Sequence, residues 1–312
     1  MTTAAPAAPR AAVKNRPADV VFKAISTTAG VLILLALGGV AIFLVAQAVP
    51  AIIGPIPESE GANFWAWVWP LTFGTLWSAF LAMVMAVPLA VSIALFITHY
   101  APRRLAQLLG YVIDLLAAIP SVIYGLWGIA VLAPFFQPGF RWLGENLGWI
   151  PLFTPPASGT GRTILTASIV LAVMVLPIIT ALCREIFLQT PRLNEEAALA
   201  LGATRWEMIK MAVLPHGRSG IIASSILGLG RALGETMAVA MVLASSGVVS
   251  FVLIGSQNPS TIAANIALRF PEAHGITVNM LIGSGLVLFA ITLLVNAISR
   301  WIIARTTVNG GR

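Results

Sequence analysis

Long apolar runs without charge alternate with short polar segments along the 312 residues of this chain. A helix that spans a membrane needs about 20 consecutive, mainly apolar residues. Six segments satisfy this requirement, and they cover residues 29–49, 72–98, 105–133, 163–183, 219–243 and 276–303. The pattern predicts an all-α membrane protein with six transmembrane helices, of which the third is kinked at Pro120.

Composition agrees with the membrane class. Only 9% of the residues are charged and 58% are hydrophobic, whereas a soluble domain has about 25% charged residues. The net charge is +7, but the basic residues do not cluster with aromatic ones as in a nucleic-acid interface. The single cysteine, Cys183, excludes an internal disulfide, and His99, His216 and His274 are too scattered to indicate a metal site.

The basic side chains indicate the orientation of the helices. Arg and Lys accumulate in cytoplasmic loops, and with the N-terminus inside, only Arg141, Arg162 and Arg269 fall in outer segments. We therefore expect both termini in the cytoplasm. The expected segments are cytoplasmic tails at 1–28 and 304–312, a peripheral first helix at 29–49, and a transmembrane domain at 70–303 with an outer loop at 134–162 and an inner loop at 184–218.

Two outer segments are rich in aromatic residues, "FWAWVWP" at 64–70 and "FRWLGENLGWIPLF" at 140–153. Aromatic side chains form belts at membrane interfaces, and they also anchor protein interfaces. The segments are therefore either an interfacial belt or a docking surface for an extracytoplasmic partner.

The inner loop carries helix signals. Thr190 is a hydroxyl cap followed by proline, and Gly202 is a favoured end, so this pair predicts a first short helix. Thr204 and Glu207 form a capping box that opens a second helix. We expect the proline at 215 to close it.

The same loop carries a spaced signature, whose members are Glu196, Ala197, Ala198, Gly202, Leu214 and Pro215. This spacing resembles the EAA…G…LP signature of ABC importer permeases, although Ala212 stands where that family usually has a large aliphatic residue. The resemblance implies a type I importer (MetI-like) fold and a loop that docks to a separate ATPase. No lysine follows a glycine, so the chain lacks a G-x-x-x-x-G-K-[ST] phosphate-binding loop. We expect no cofactor in this chain, and ATP with Mg²⁺ in a partner ATPase.

Arg231 and Glu235 lie inside the apolar stretch "GLGRALGETMAVAMVL" at 228–243. An arginine at the centre of a membrane costs about 2.5 to 3.5 kcal/mol on insertion scales, so such residues usually face a bundle interior or a pathway. Counted from Ser219, Arg231 lies about 18 Å deep, and Glu235 is one turn further, within reach of an i,i+4 pair. Asp114 of the third segment, about 14 Å deep, would meet Arg231 if the two helices are neighbours.

A planar guanidinium suits a tetrahedral oxyanion, and Gly228, Gly230 and Gly234 leave room beside it. We therefore predict an anion pathway past Arg231, in which Glu235 orients the arginine. The alternative is a structural intramembrane ion pair without solute contact.

The stretch "GRALGETMAV" resembles the fifth span of phosphate-importer permeases of the PstC type, and the resemblance covers roughly residues 70–303. It implies phosphate passage at Arg231 and Glu235 and a place in the bacterial plasma membrane. It also implies three partners: a sister permease of the PstA type, an ATPase dimer and an extracytoplasmic phosphate-binding protein. A permease for another oxyanion, such as sulfate or molybdate, and a stand-alone secondary transporter are the alternatives.

Overall fold

The computed structural model describes residues 17–57 and 60–309, and the side chains of 19–57 and 60–301. Arg10, Lys14 and Arg16 of the predicted N-terminal tail and the last residues of the C-terminal tail lie outside this range. The described residues form twelve α-helices: α1 (Pro17–Ile53), α2 (Phe64–Leu95), α3 (Arg103–Ala117), α4 (Ser121–Trp127), α5 (Ala133–Leu147), α6 (Ile164–Leu188), α7 (Arg192–Ala200), α8 (Arg205–Met208), α9 (Leu214–Leu233), α10 (Met237–Val242), α11 (Ile262–Arg269) and α12 (Ile276–Asn309). The predicted all-α class is confirmed.

The chain divides into two compact units, residues 1–46 and 47–312. The described part of the first unit belongs to α1, which starts at Pro17 because proline is well accommodated in a first helical turn. Lys23, which we expected in a tail, therefore lies in a helix. α12 likewise continues to Asn309, beyond the predicted end of the last span at 303.

α6 is the central helix of the second unit, with two thirds of its apolar length buried. α2 packs along it and buries a stripe of small side chains that are at most 1% exposed. The stripe consists of Ala79, Ala82, Ala86, Ala90 and Ala94. Small residues three and four positions apart let two helix backbones approach closely. α9 runs antiparallel to α6, since Gly217 lies against Phe187 and Gly228 lies against Ile179.

The third apolar segment is broken at Pro120 instead of kinked. α3 ends at Ala117 and α4 starts after Pro120, because the residue before a proline is disfavoured in the helical conformation. α4, a π-helical turn (Gly128–Leu132) and α5 then continue as one helix to Leu147. The spanning helix is thus Ser121–Leu147 rather than residues 105–133, and most of the first half of the predicted outer loop is helical.

Within the described ranges, five helices are long and apolar enough to cross a membrane: Asp19–Ile53, Phe64–Tyr100, Ser121–Leu147, Ile164–Leu188 and Ile276–Trp301. The remaining predicted span, 219–243, is discontinuous, because α9 ends at Leu233 and α10 starts at Met237. The aromatic segment 64–70 forms the first two turns of α2 and is not a loop, and Asn63 caps that helix by accepting the Ala66 N–H.

Two largely irregular segments, residues 148–163 and 243–261, lie together where α6 begins. The Ser158 N–H donates to the Ile254 carbonyl at 2.7 Å, and the Leu253 N–H donates to the Leu152 carbonyl at 2.8 Å. We call this the loop end of the bundle, and we call the opposite end, which carries α7 and α8, the EAA end.

Candidate functional site

An open groove of about 500 Å³ runs between α6, α9 and α12. Its polar side chains are Arg231, in the last turn of α9, and Asn296 of α12, and its walls are otherwise apolar. The Arg231 side chain is exposed, and its guanidinium has no hydrogen-bond or ion-pair partner among the residues that the structure describes. The groove therefore presents an uncompensated positive charge.

Arg231 lies near mid-length of the central helix. It shares the groove with Ile178 of α6, which is about 15 Å by helical rise from the EAA end and about 21 Å from the loop end. The hydroxyl of Tyr124, which donates to the Leu116 carbonyl at 2.8 Å, lies within electrostatic range of Arg231.

Glu235 does not pair with Arg231. An i,i+4 pair requires one continuous helix, but α9 ends at Leu233. Glu235 is only 8% exposed, and its Oε1 accepts the Ala238 N–H at 3.0 Å. Its carboxylate therefore caps α10 and leaves the charge of Arg231 uncompensated.

Asp114 does not meet Arg231 either. It lines a separate cavity at the EAA end together with Arg184, and it forms no ion pair within the described ranges. The prediction of a meeting at similar depth was wrong because α3 is not the inner half of a straight spanning helix. α3 instead crosses α6 at Arg184, whose guanidinium lies over Gly110.

The three glycines near Arg231 have different surroundings. A Cβ on Gly228 would lie 2.7 Å from Cδ1 of Ile179, so this glycine permits the close approach of α9 to α6. Gly230 has nothing within 4 Å of a built Cβ and opens onto the groove. Gly234 ends α9 and meets only the Gly230 carbonyl, at 3.6 Å. The expected room beside Arg231 is therefore provided by Gly230 and Gly234.

The EAA loop folds as two short helices joined at Gly202, as the sequence predicts. Gly202 has φ +86°, its N–H donates to the Leu199 carbonyl at 3.0 Å, and the Ala203 N–H donates to the Ala198 carbonyl at 3.2 Å. These two bonds form a Schellman motif, in which glycine takes the left-handed position. The capping box of Thr204 and Glu207 also forms.

Two details of this loop differ from the prediction. Thr190 does not cap α7, since Pro191 occupies the N-cap and the buried Thr190 hydroxyl has no partner in the described part of the chain. Pro215 does not end the second helix. A π-helical turn (Ile209–Val213) precedes it, with the Leu214 N–H donating to the Ile209 carbonyl. The wider turn accommodates the proline, and the helix continues through α9.

One face of the EAA loop is available for a partner. Glu196 and Ala197 are exposed, whereas Ala198 is buried against the bundle. Apolar side chains that would normally be buried also project outward, and Leu201 is 90% exposed. On the inner side, His99 of the π-helical turn (Phe96–Tyr100) that continues α2 lies 3.7 Å from the carboxylate of Glu195. The loop therefore approaches this turn with its inner side and presents its outer face to solvent.

Asn258 organises the loop end, and sequence reasoning missed it. Its fully buried side chain accepts the Ile164 N–H at 3.0 Å, and its amide N–H group lies within 3.2 to 3.3 Å of the carbonyls of Arg162, Ala244 and Gly255. Arg162 in turn donates to the last carbonyls of α10. An asparagine in a segment rich in glycine and serine gives no sequence signal for such a role.

Glu60 and Arg269 form an ion pair at the loop end, with Arg269 Nη1 donating to Glu60 Oε2 at 2.8 Å. The Trp67 indole N–H donates to the same oxygen at 2.9 Å. The hydrogen bond from Arg269 is the largest cause of a lowered pKa for Glu60, and the same bond raises the pKa of Arg269. The pair joins the segment before α2 to the end of α11.

The fold, together with the EAA loop, is typical of one class of protein. Residues 86–308 match the family model of binding-protein-dependent transport system inner membrane components. Two solved structures share the fold. One is a bacterial ABC transporter involved in the import of alginate (TM-score 0.58, 19% identity, 91% of this chain and 96% of that chain), and the other is the MetNI methionine ABC transporter (TM-score 0.53, 17% identity, 77% and 94%).

Within that class, curated relatives are similar over nearly their whole length. The phosphate transport system permease protein PstC 2 of Mycobacterium tuberculosis is 47% identical, over 96% of this chain and 96% of its own. The corresponding PstC proteins of Mycobacterium leprae and Mesorhizobium japonicum are 43% identical (87% of each chain) and 38% identical (94% and 92%). The chain belongs to the PstC family of inner-membrane permease components.

Proposed function

We propose that this chain is the permease subunit of an ATP-driven importer of inorganic phosphate and that it works by alternating access. Its relatives are phosphate transport system permeases. The observation that carries the proposal is the Arg231 groove, where a guanidinium at mid-length of the bundle has no compensating charge among the described residues.

The chemistry of the groove suits an oxyanion. An unpaired guanidinium in a region of low dielectric binds a charged acceptor more strongly than it would in water. Asn296 adds amide N–H donors beside it. One arginine does not neutralise a dianion, so the sister permease contributes further positive charge in this proposal. The broken helix after Arg231 is also typical of transport sites, where irregular backbone lines a cavity.

The EAA loop supplies the coupling. α7, which contains Glu196, Ala197 and Ala198, meets α8 at a rigid corner at Gly202. This corner docks on an ATPase dimer, and ATP and Mg²⁺ bind to that dimer. Leu214 and Pro215 begin α9, which continues α8 through the π-helical turn and ends near Arg231. α9 therefore transmits the movement. The EAA end is cytoplasmic in this proposal. The loop end faces an extracytoplasmic phosphate-binding protein, and a PstA-type permease completes the pathway.

Replacing Arg231 with glutamine tests the proposal. We expect ATP-dependent phosphate uptake to fall by about a hundredfold, since a charge-assisted hydrogen bond contributes about 3 kcal/mol. The matched control is Arg218→Gln on the same helix, which should retain uptake. Normal assembly with the partner subunits, measured by co-purification, separates loss of transport from misfolding. Retained phosphate uptake in Arg231→Gln would refute the anion role, and competition by sulfate would assign the pathway to another oxyanion.

A further inference from the structure

A second cavity, of about 390 Å³, lies at the EAA end between the start of α3, the end of α2 and the end of α6. Its basic side chains are Arg103 and Arg184, and its other polar side chains are Thr98, Gln107, Tyr111 and Asp114. The remainder of the wall is mainly apolar, with Ile97 and Leu188 facing the same space. This cavity takes no part in the transport pathway proposed above.

The backbone is shaped around one of these arginines. The Arg184 guanidinium lies directly over Gly110, where the Cβ of any other residue would overlap it. Its Nη2 donates to Glu185 at 2.9 Å, but its Nε is buried and has no partner in the described ranges. The Arg184 side chain as a whole is 21% exposed and lines the cavity, so its guanidinium offers donors to a ligand that brings acceptor oxygens.

The charge and the walls of the cavity indicate the kind of ligand. Arg103 and Arg184 outnumber Asp114, the one acidic residue of the wall. Arg184 is also paired with Glu185, which does not line the cavity, so among the described residues Arg103 carries the unpaired positive charge. The α3 N-terminus, which carries no side-chain cap, borders the same space and adds the positive end of its dipole. The outward face of α3 exposes apolar side chains, with Leu108 58% and Leu115 70% exposed. Anionic oxygens and an apolar chain therefore have complementary surfaces side by side.

We propose that this cavity binds the headgroup of an anionic phospholipid. The phosphodiester oxygens accept hydrogen bonds from Arg103 and Arg184, and the acyl chains lie along the apolar face of α3. Basic pockets between transmembrane helices bind lipid headgroups in this way. A free phosphate ion has the same acceptor oxygens but no apolar part that could contact the exposed face of α3, so the geometry points to the lipid.

Native mass spectrometry of the full-length chain in detergent tests the assignment, with phosphatidylglycerol and phosphatidylcholine of identical acyl chains as the probes. We expect one phosphatidylglycerol to bind at least about tenfold more tightly than phosphatidylcholine. Arg184→Gln and Arg103→Gln should each weaken it about tenfold. Asp114→Asn should strengthen binding, because it removes the one acidic wall residue. The matched control is Arg104→Gln, which changes a neighbouring arginine that does not line the cavity.

Equal affinity for the two lipids would overturn the proposal, and so would equal losses in Arg104→Gln and Arg103→Gln. A competition experiment with inorganic phosphate at millimolar concentration distinguishes the lipid from free phosphate. If phosphate displaces phosphatidylglycerol, and Arg184→Gln abolishes that displacement, the site is one for free phosphate and the lipid assignment is wrong. The elution volume and melting temperature of each variant show whether it is folded. If Arg184→Gln fails to fold, Arg103→Gln, at an exposed residue, is the variant that tests lipid binding.

Discussion

Asn258 offers the sharpest test of how the loop end is held together. Its carboxamide is oriented by its surroundings, because Oδ1 faces the Ile164 N–H and Nδ2 faces three carbonyl oxygens. Asn258→Asp keeps the shape but places an anionic oxygen against those carbonyls. The Asn258 amide has two N–H bonds, so Asn258→Asp loses two hydrogen bonds to carbonyls. Each lost bond costs about 1 kcal/mol or more, and with the repulsion between the buried charge and the carbonyls the total is about 4 kcal/mol. At about 2 to 4 °C per kcal/mol, the melting temperature should fall by about 8 to 16 °C.

The assay is thermal unfolding of the purified chain in detergent, followed by tryptophan fluorescence. The matched control is Asn146→Asp, because Asn146 is exposed and makes one hydrogen bond, to the Trp142 carbonyl. Acidification should partly restore Asn258→Asp, since a protonated carboxyl group donates to one carbonyl. A melting temperature equal to that of the control, at any pH, would refute the central position of Asn258.

Three further predictions concern local geometry and charge. Gly161→Ala should destabilise the chain by about 2 to 5 kcal/mol, because Gly161 has φ +70° and a Cβ would overlap the Ala133 carbonyl. Gly202→Ala should cost less, about 1 to 2 kcal/mol, since Gly202 has φ +86° but open space; equal melting temperatures of the two variants would contradict this ranking. The pKa of Glu60 is lowered from 4.5 by Arg269. The stabilisation of the folded chain by this ion pair is therefore present above pH 4.5 and is lost as the pH falls through the pKa of Glu60 in the folded chain. The stability difference between the native chain and Glu60→Gln should thus be constant from pH 8 to 5 and shrink below pH 4.5, and an unchanged difference in acid would exclude the ion pair as its source.

Apolar patterning predicted four of the five long apolar helices within the described residues, but it misplaced the third and did not show where a helix is interrupted. Residues 219–243 are apolar enough to read as one helix, and the break at Gly234 depends on local caps that hydropathy does not register. Glu235 illustrates the consequence. Its position four residues after Arg231 predicts an ion pair with that arginine. In the structure its carboxylate instead accepts the Ala238 N–H at the start of the next helix. The helical position of Arg231, twelve residues after Ser219, was predictable because α9 is regular up to that residue.

The effect of each proline on its helix depended on the residues before it. Pro120 interrupts the helix, and the two residues before it are not helical. Pro215 lies within a continuous helix because a π-helical turn precedes it. Asn258 was beyond sequence reasoning, since its partners lie 14 to 96 residues away apart from Gly255. The Gly202 stop and the Thr204 capping box were predicted correctly because they involve only neighbouring residues, whereas the equally local cap expected at Thr190 did not form.

In the proposed function, the permease moves inorganic phosphate past Arg231 at the expense of ATP hydrolysed in a partner subunit. The decisive experiment is reconstitution of the complete complex in liposomes, with its binding protein and radiolabelled phosphate. Phosphate should accumulate only with ATP and Mg²⁺, and excess sulfate should not compete. Arg231→Gln should reduce accumulation about a hundredfold, while Arg218→Gln should retain it. Accumulation without ATP, or undiminished accumulation in Arg231→Gln, would contradict the proposed function.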